Sequence, residues 1–214
     1  MKRLLPTLLF LLCTYLIADA QRFKAGVVVG INAAQLDGDD QMGYTKLGIS
    51  SGLRGEAIIS KRLQLGMELL FSQRGAKPSR KTRGPEAITI RLNYAEIPIL
   101  ANIWIGKPID KQENYRFQFQ TGIAFARLLN LSIDEPPLGA LKEGQLLLND
   151  LAPDFNKKDW SFILGLHYYF NQNTALGIRH NISLSKLYNS AEFPDRINKS
   201  LRSYFLNLQL IAVI

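Results

Sequence analysis

Cysteine is nearly absent: Cys13 is the only one in 214 residues. Beyond residue 13 there is no thiol, which excludes disulfides, thiolate nucleophiles and cysteine metal sites from the rest of the chain. Such a chain is compatible with an oxidising compartment. Histidine is also scarce, with His167 and His180 the only two. Although 47% of the residues are apolar, no segment after the first twenty is apolar for the ~20 residues that a membrane helix needs.

The one long apolar run is at the start. Lys2 and Arg3 precede an apolar stretch from Leu4 to Ile17, and Ala18-Asp19-Ala20 follows as a small-x-small site. This is the pattern of a secretory signal peptide over residues 1–20, with Gln21 the expected first mature residue. Cys13 lies inside it and is preceded by Leu12 rather than a small residue, which argues against lipidation. The formal charge is +8; without Lys2, Arg3 and Asp19 the chain keeps 24 basic and 17 acidic residues, a net of +7. For an exported chain, anionic lipid headgroups are the expected counterpart of that surplus, and nucleic acid is not.

What the rest of the chain has in abundance is alternation with a period of two, the pattern of strands with one apolar face. Phe23, Ala25, Val27, Val29 and Ile31 share a face in a segment ending at Asn32. Leu47 to Ile59 and Leu63 to Ser72 repeat the pattern on either side of a tight Ser60-Lys61-Arg62 turn. The fourth segment, Ile88 to Ile105, puts Ile88, Ile90, Leu92 and Tyr94 on the apolar face. Beyond Tyr94 the apolar parity moves to Ile97, Ile99, Ala101 and Ile103, which predicts a β-bulge in this strand, with Pro98 just after it. Tyr115 to Phe125, Trp160 to Phe170, Thr174 to Leu187 and Ser203 to Ile214 complete eight segments. A second tight turn, Asn171-Gln172-Asn173, joins the sixth and seventh.

Each segment reaches the ~9–11 residues of a tilted membrane strand, whereas ordinary strands average ~5–6. The links after the second, fourth and sixth segments are short or modest. Those after the first, third, fifth and seventh are longer, and the one from about Arg127 to Lys158 is the longest. Short turns on one side and long loops on the other are the asymmetry of an outer-membrane barrel. The opposite faces are rich in Gly, Ser, Asn and Gln with few charges, which suits a crowded lumen better than a water-facing surface. Aromatic residues gather near the segment ends: Tyr115, Tyr168 and Phe170 toward the short turns, Trp160 and Tyr204 toward the loops, as in interfacial girdles. Parity turns Trp104 inward. The expected fold is therefore all-β, an eight-stranded antiparallel up-and-down transmembrane β-barrel spanning residues 21–214, with both termini on the periplasmic side.

Eight strands enclose an interior that side chains can fill. Parity points Arg54, Glu56, Glu68, Arg91, Glu96, Arg116, His167 and Arg179 inward. Buried charges must pair, so an ion-pair and amide network is expected in the lumen. That network reads as a plug; the sharper alternative is a narrow conduit for small solutes. A lipid-modifying enzyme would need a histidine beside a serine or acid, and His180 lies on the opposite face from Ser183 and Ser185, so no catalytic set is expected. Asp37-Gly38-Asp39-Asp40 lacks the spacing of a calcium loop and reads as a solvated turn. No cofactor or metal is expected. Lys77, Arg80, Lys81 and Arg83 cluster in one long loop and are candidates for contact with lipopolysaccharide phosphates. Leu138, Leu141, Gln145 and Leu148 have helical spacing and could form an amphipathic segment at the rim. The expected partners are outer-membrane lipid and lipopolysaccharide, the outer-membrane assembly machinery, and proteins met through the long loops.

Three stretches also resemble a known family. Phe23-Lys24-Ala25-Gly26-Val27-Val28-Val29-Gly30-Ile31-Asn32, Met67-Glu68-Leu69-Leu70-Phe71-Ser72-Gln73-Arg74-Gly75 and Leu92-Asn93-Tyr94-Ala95-Glu96-Ile97-Pro98-Ile99-Leu100 are similar to the PorT-like outer-membrane β-barrels of Bacteroidota, over essentially the whole chain after the signal. The resemblance implies an outer-membrane barrel. The family's namesake is associated with protein secretion across the outer membrane, a role that is not carried over to this chain. The expected role is a structural or interaction one, with an accessory of envelope assembly or secretion as one form of it. One departure is the C-terminus, Ala212-Val213-Ile214, where outer-membrane strands often end in an aromatic residue.

Overall fold

A computed structural model describes residues 23–38, 43–78, 88–108, 115–134, 152–189, 191 and 200–214. The expected signal peptide and Gln21 lie outside the described residues, as do Arg80, Lys81, Arg83, Asp39, Asp40 and the Leu138–Leu148 segment. The strands are β1 (Phe23–Asp37), β2 (Lys46–Ile58), β3 (Leu63–Ala76), β4 (Thr89–Ile105), β5 (Phe117–Asp134), β6 (Lys158–Tyr169), β7 (Thr174–Ser183) and β8 (Arg202–Val213). Each pairs antiparallel with the next, and β8 pairs with β1 to close the barrel. Closure leaves no sheet edge, the condition for strands to cross a bilayer. A path along paired residues that leaves β1 at Ala25 passes Gly55, Met67, Ile99, Ile123, Phe162, Ile182 and Tyr204 and returns at Gln35, ten residues further along. With strand spacings of ~4.8 Å and a rise of ~3.3 Å per residue, that stagger tilts the strands by roughly 40°.

Two turns are built from their own side chains. Asn171 Oδ1 accepts hydrogen bonds from the backbone N–H of Asn173 (2.8 Å) and Thr174 (2.7 Å). Ser60 Oγ accepts from the N–H of Leu63 at 3.1 Å. These local acceptors satisfy donors that a tight hairpin would otherwise leave bare.

The faces are inverted relative to a soluble sheet. Leu53 is 63% exposed while its chain neighbour Arg54 is 3% exposed. The same contrast runs around the wall: Ile49, Met67, Ile99, Ile178 and Leu208 point out, whereas Ser50, Glu68, Asn102, Arg179 and Asn207 point in. An apolar belt outside and a polar packed interior are stable only if the belt meets hydrocarbon.

Three sequence expectations need correction. The bulge expected in β4 is absent there: burial alternates without a break from Ile90 through Asn102. The register instead shifts opposite Asn93 and Tyr94, which pair with Asn130 and Leu128, so the extra residue is Leu129 of β5. Ile90, Leu92 and Tyr94 therefore point inward and pack with Leu36, Phe155 and Leu201 in an apolar cluster at the loop end. The rule that apolar means outward holds within the bilayer and fails above it. There the strands stand in water and the barrel interior becomes an ordinary core. Second, β5 runs nine residues beyond Phe125, to Asp134; the bulge at Leu129 breaks the alternation that would have revealed it. Third, β7 stops at Ser183, and Leu187 and Tyr188 fold over the open end into the same apolar cluster.

Gly177 shows how tightly the lumen is filled. A Cβ there would lie 2.2 Å from Cδ2 of His167, whereas a Cβ at Gly55 on the outer wall meets nothing within 4 Å. Gly177→Leu is expected to lower folding stability by about 1–3 kcal/mol through overpacking, and Gly55→Ala to stay within about 0.5 kcal/mol. Urea unfolding in detergent micelles, followed by tryptophan fluorescence, distinguishes them.

Candidate functional site

The interior is the most elaborately bonded region among the described residues. Its middle layer centres on Glu68 of β3. Arg54 Nη1 donates to Glu68 Oε1 at 2.7 Å, and Arg179 reaches both oxygens with Nη1 (2.9 Å) and Nη2 (3.0 Å). Arg54 Nη2 also donates to Glu56 Oε1 at 2.5 Å, and Asn102 Nδ2 donates to that oxygen at 2.8 Å. Gln120 closes the layer, donating to Asn102 Oδ1 (2.7 Å) and accepting from Arg179 Nε (2.8 Å). Five strands thus contribute to one ring across the lumen. The cross-strand register sets this up: Arg54 stands directly opposite Glu68, and Gly165 opposite Arg179 leaves room for its side chain.

A second layer lies nearer the loops. Arg74 donates to Glu96 and, at 2.7 Å, to Asp159 Oδ2. Asn181 Nδ2 donates to Glu96 Oε1 at 3.1 Å, and Ser183 Oγ donates to Asp159. The Arg74 guanidinium is held between the rings of Tyr94 (4.7 Å) and Phe205 (4.2 Å), a cation–π sandwich that offsets part of its desolvation. Between the layers lies a cavity of about 10 Å³ bordered by Ser72, Glu96, Arg179 and Asn181, room for about one water.

The third layer faces the short turns. His167 is fully buried, with Nδ1 3.1 Å from Gln118 Oε1 and Nε2 2.9 Å from Gln209 Nε2. Gln118 also donates to Gln64 at 3.0 Å. Below it, Val28, Tyr169, Ile211 and Val213 close the lumen with Trp104 packed against them.

Of the eight residues that parity points inward, Arg54, Glu56, Glu68, Glu96, His167 and Arg179 are buried in these layers. Two are elsewhere. Arg91 lies on the outer face above the belt, bonded to Asp134 at 2.7 Å with both side chains 53% exposed. The misplaced bulge inverted its parity. Arg116 sits on the exposed bend before β5 and donates to the Tyr168 hydroxyl at 2.9 Å; strand alternation does not apply to a residue outside the strand. Sequence reasoning missed Arg74 and Asp159. Continuing the even parity of β3 two residues past Ser72, and the odd parity of β6 to the residue before Trp160, would have found both.

Outside the lumen, His180 faces outward and its Nε2 lies 3.0 Å from the Tyr44 hydroxyl. Lys77 is exposed and, with Arg91, stands near enough to Lys46 for mutual repulsion.

Residues 18–189 match the family described as the outer membrane protein β-barrel domain. The chain belongs to this family. The barrel's place is accordingly the outer membrane. No curated protein matches the sequence. Among solved structures this outer-membrane barrel is similar to Ail, the attachment invasion locus protein of Yersinia pestis, at 10% identity and a TM-score of 0.47, covering 89% of this chain and 98% of that one. It is also similar to Neisserial surface protein A (14% identity, TM-score 0.44, 89% and 96% covered) and to OprG from Pseudomonas aeruginosa (12%, 0.38, 90% and 94%).

The shared carboxylate makes a sharp test of the middle layer. Glu68→Ala leaves Arg54 and Arg179 buried beside a lost partner and is expected to destabilise the barrel by about 3–5 kcal/mol. Arg91→Ala removes an exposed pair and should cost less than about 1 kcal/mol. Replacing Arg54, Glu56, Glu68 and Arg179 together with Met, Gln, Leu and Met should recover most of the loss, because no unpaired charge then remains. Unfolding midpoints of the three variants in micelles check the order.

Proposed function

We propose that this outer-membrane barrel is a closed scaffold with a structural or interaction role, an accessory of envelope assembly or secretion rather than an enzyme or an open pore. The observation that carries this reading is the lumen. The Glu68 ring, the Arg74–Glu96–Asp159 layer and an apolar cluster at each end occupy the cross-section. A conduit would require buried ion pairs to part during every passage, at a cost of several kcal/mol per uncompensated charge. A non-catalytic role draws support from the faces on which the candidate groups stand. His180 is outside with Tyr44, whereas Ser183 and Asp159 are bonded to each other inside.

In this reading the short turns and both termini face the periplasm and the long loops face outward. The loop-side cluster Leu36–Leu92–Phe155–Tyr188–Leu201 holds the rim segments 152–156 and 185–189 rigidly over the barrel end, a fixed platform for a protein partner. Planar-bilayer recordings of the purified barrel are expected to show no conductance steps. Discrete steps abolished by Glu68→Ala or Arg179→Ala would establish the conduit instead. A pull-down in mild detergent is expected to recover an envelope protein in stoichiometric amount, and a barrel recovered alone would overturn the interaction role.

The partners on the loop side include lipopolysaccharide. Exposed Lys77 is followed in the sequence by Arg80, Lys81 and Arg83, and a cation near an anionic surface is worth about 1 kcal/mol. The fourfold alanine variant is expected to retain several-fold less lipopolysaccharide after detergent extraction, with the difference shrinking at high salt. Equal retention would remove this assignment.

A further inference from the structure

Among the described residues, the outer wall is thin at one point on β1–β3. Ala25, Gly55 and Met67 stand side by side on β1, β2 and β3, followed by Ile99 on β4, and Ala57 lies two residues beyond Gly55. Gly55 is the only strand glycine among the described residues whose missing side chain faces open space; the others point at neighbouring atoms. Three small residues between Phe23, Leu65, Met67 and Ile99 leave an apolar groove of about 570 Å³ on the belt that faces hydrocarbon. A groove of that size in lipid does not stay empty.

Its short-turn end is charged. The hairpin joining β2 to β3, the two strands that floor the groove, carries Lys61 and Arg62, both exposed. Arg62 is steadied over the Tyr115 ring at 5.5 Å. Glu56 does not offset them, because it turns inward to Arg54 and Asn102. Lys61 is six residues from Gly55. Four of those steps, to Ile59 where the hairpin closes on Leu63, are extended; at ~3.3 Å per residue and a tilt of roughly 40° they span ~10 Å along the membrane normal, a third of a ~30 Å hydrocarbon core. The groove therefore lies in the short-turn half of the hydrocarbon core, and the turn carrying the two cations lies beyond its Phe23–Ala57–Leu65 end.

We propose that this groove is a binding site for one glycerophospholipid of the leaflet on the short-turn side. One acyl chain lies against Ala25, Gly55 and Ala57, and the phosphate is held by Lys61 and Arg62. The site rests on the outer-membrane placement and is separate from the closed lumen.

The test is native mass spectrometry of the folded barrel, stripped of lipid in non-ionic detergent and then given dioleoylphosphatidylglycerol. The wild type is expected to keep one lipid per barrel under activation that removes the rest. Gly55→Leu fills the groove and should lower that occupancy at least tenfold. Ala57→Leu fills it from the neighbouring position and serves if Gly55→Leu does not fold. Lys61→Ala with Arg62→Ala should lower it several-fold, and Leu210→Ala, on the outer face of β8, should leave it unchanged. Heat-modifiable migration confirms that each variant is folded. Unaltered lipid retention in folded Gly55→Leu or Ala57→Leu overturns the proposal. So does a wild-type dimer that these variants break, since a second copy would then fill the groove. Conductance or a missing protein partner would overturn the scaffold reading and leave this site standing.

Discussion

One carboxylate organises the barrel. Glu68 receives three charge-assisted hydrogen bonds from two arginines, Arg54 on the adjoining β2 and Arg179 on the distant β7. Without Glu68, Arg54 and Arg179 would be buried cations in a space from which the surrounding wall excludes water. With it, they become struts between β2, β3 and β7. Gln120 and Asn102 extend the ring to β5 and β4. Such networks cost desolvation energy, and their yield is registry as much as stability. A one-residue slip of β3 would turn Glu68 to the lipid and strand both guanidiniums.

The outer face depends on the same arrangement. Because polar groups find partners inside, the wall can present Leu53, Met67, Ile99 and Leu208 to hydrocarbon without a soluble core behind them. The two layers of charge also divide the interior by height. The ring around Glu68 sits within the span. The Arg74 layer lies nearer the loops, where Tyr94 and Phe205 begin to replace polar partners. Above that, the barrel behaves as a soluble one, with apolar residues inside and the Arg91–Asp134 pair outside. The groove at Gly55 is the reverse case, a place where the wall is too thin rather than the lumen too full.

Much of this was legible in the alternation. A period of two over eight long segments, with small and amide residues opposite the apolar ones, specified strands, their number and which face meets lipid. The inward set Arg54, Glu56, Glu68, Glu96, His167 and Arg179 followed from parity alone. What parity could not show was where the environment changes along a strand. Ile90, Leu92 and Tyr94 have the same chemistry as Ile97 and Ile99, yet they stand inside because they rise beyond the bilayer. Reading them as outward forced a bulge into β4 and sent Arg91 to the wrong side. The real bulge, at Leu129, lay in a stretch with no clean alternation.

The sequence by itself determined the strand architecture, the closed barrel and the polarity of its two faces, because these rest on a local repeat that every strand carries. The tertiary structure decided which charges meet. Arg74 with Asp159 and Arg179 with Glu68 are separated by 85 and 111 residues. Only the ten-residue stagger of the closed barrel brings them to one height. That stagger is a property of eight registers taken together, and no single segment contains it.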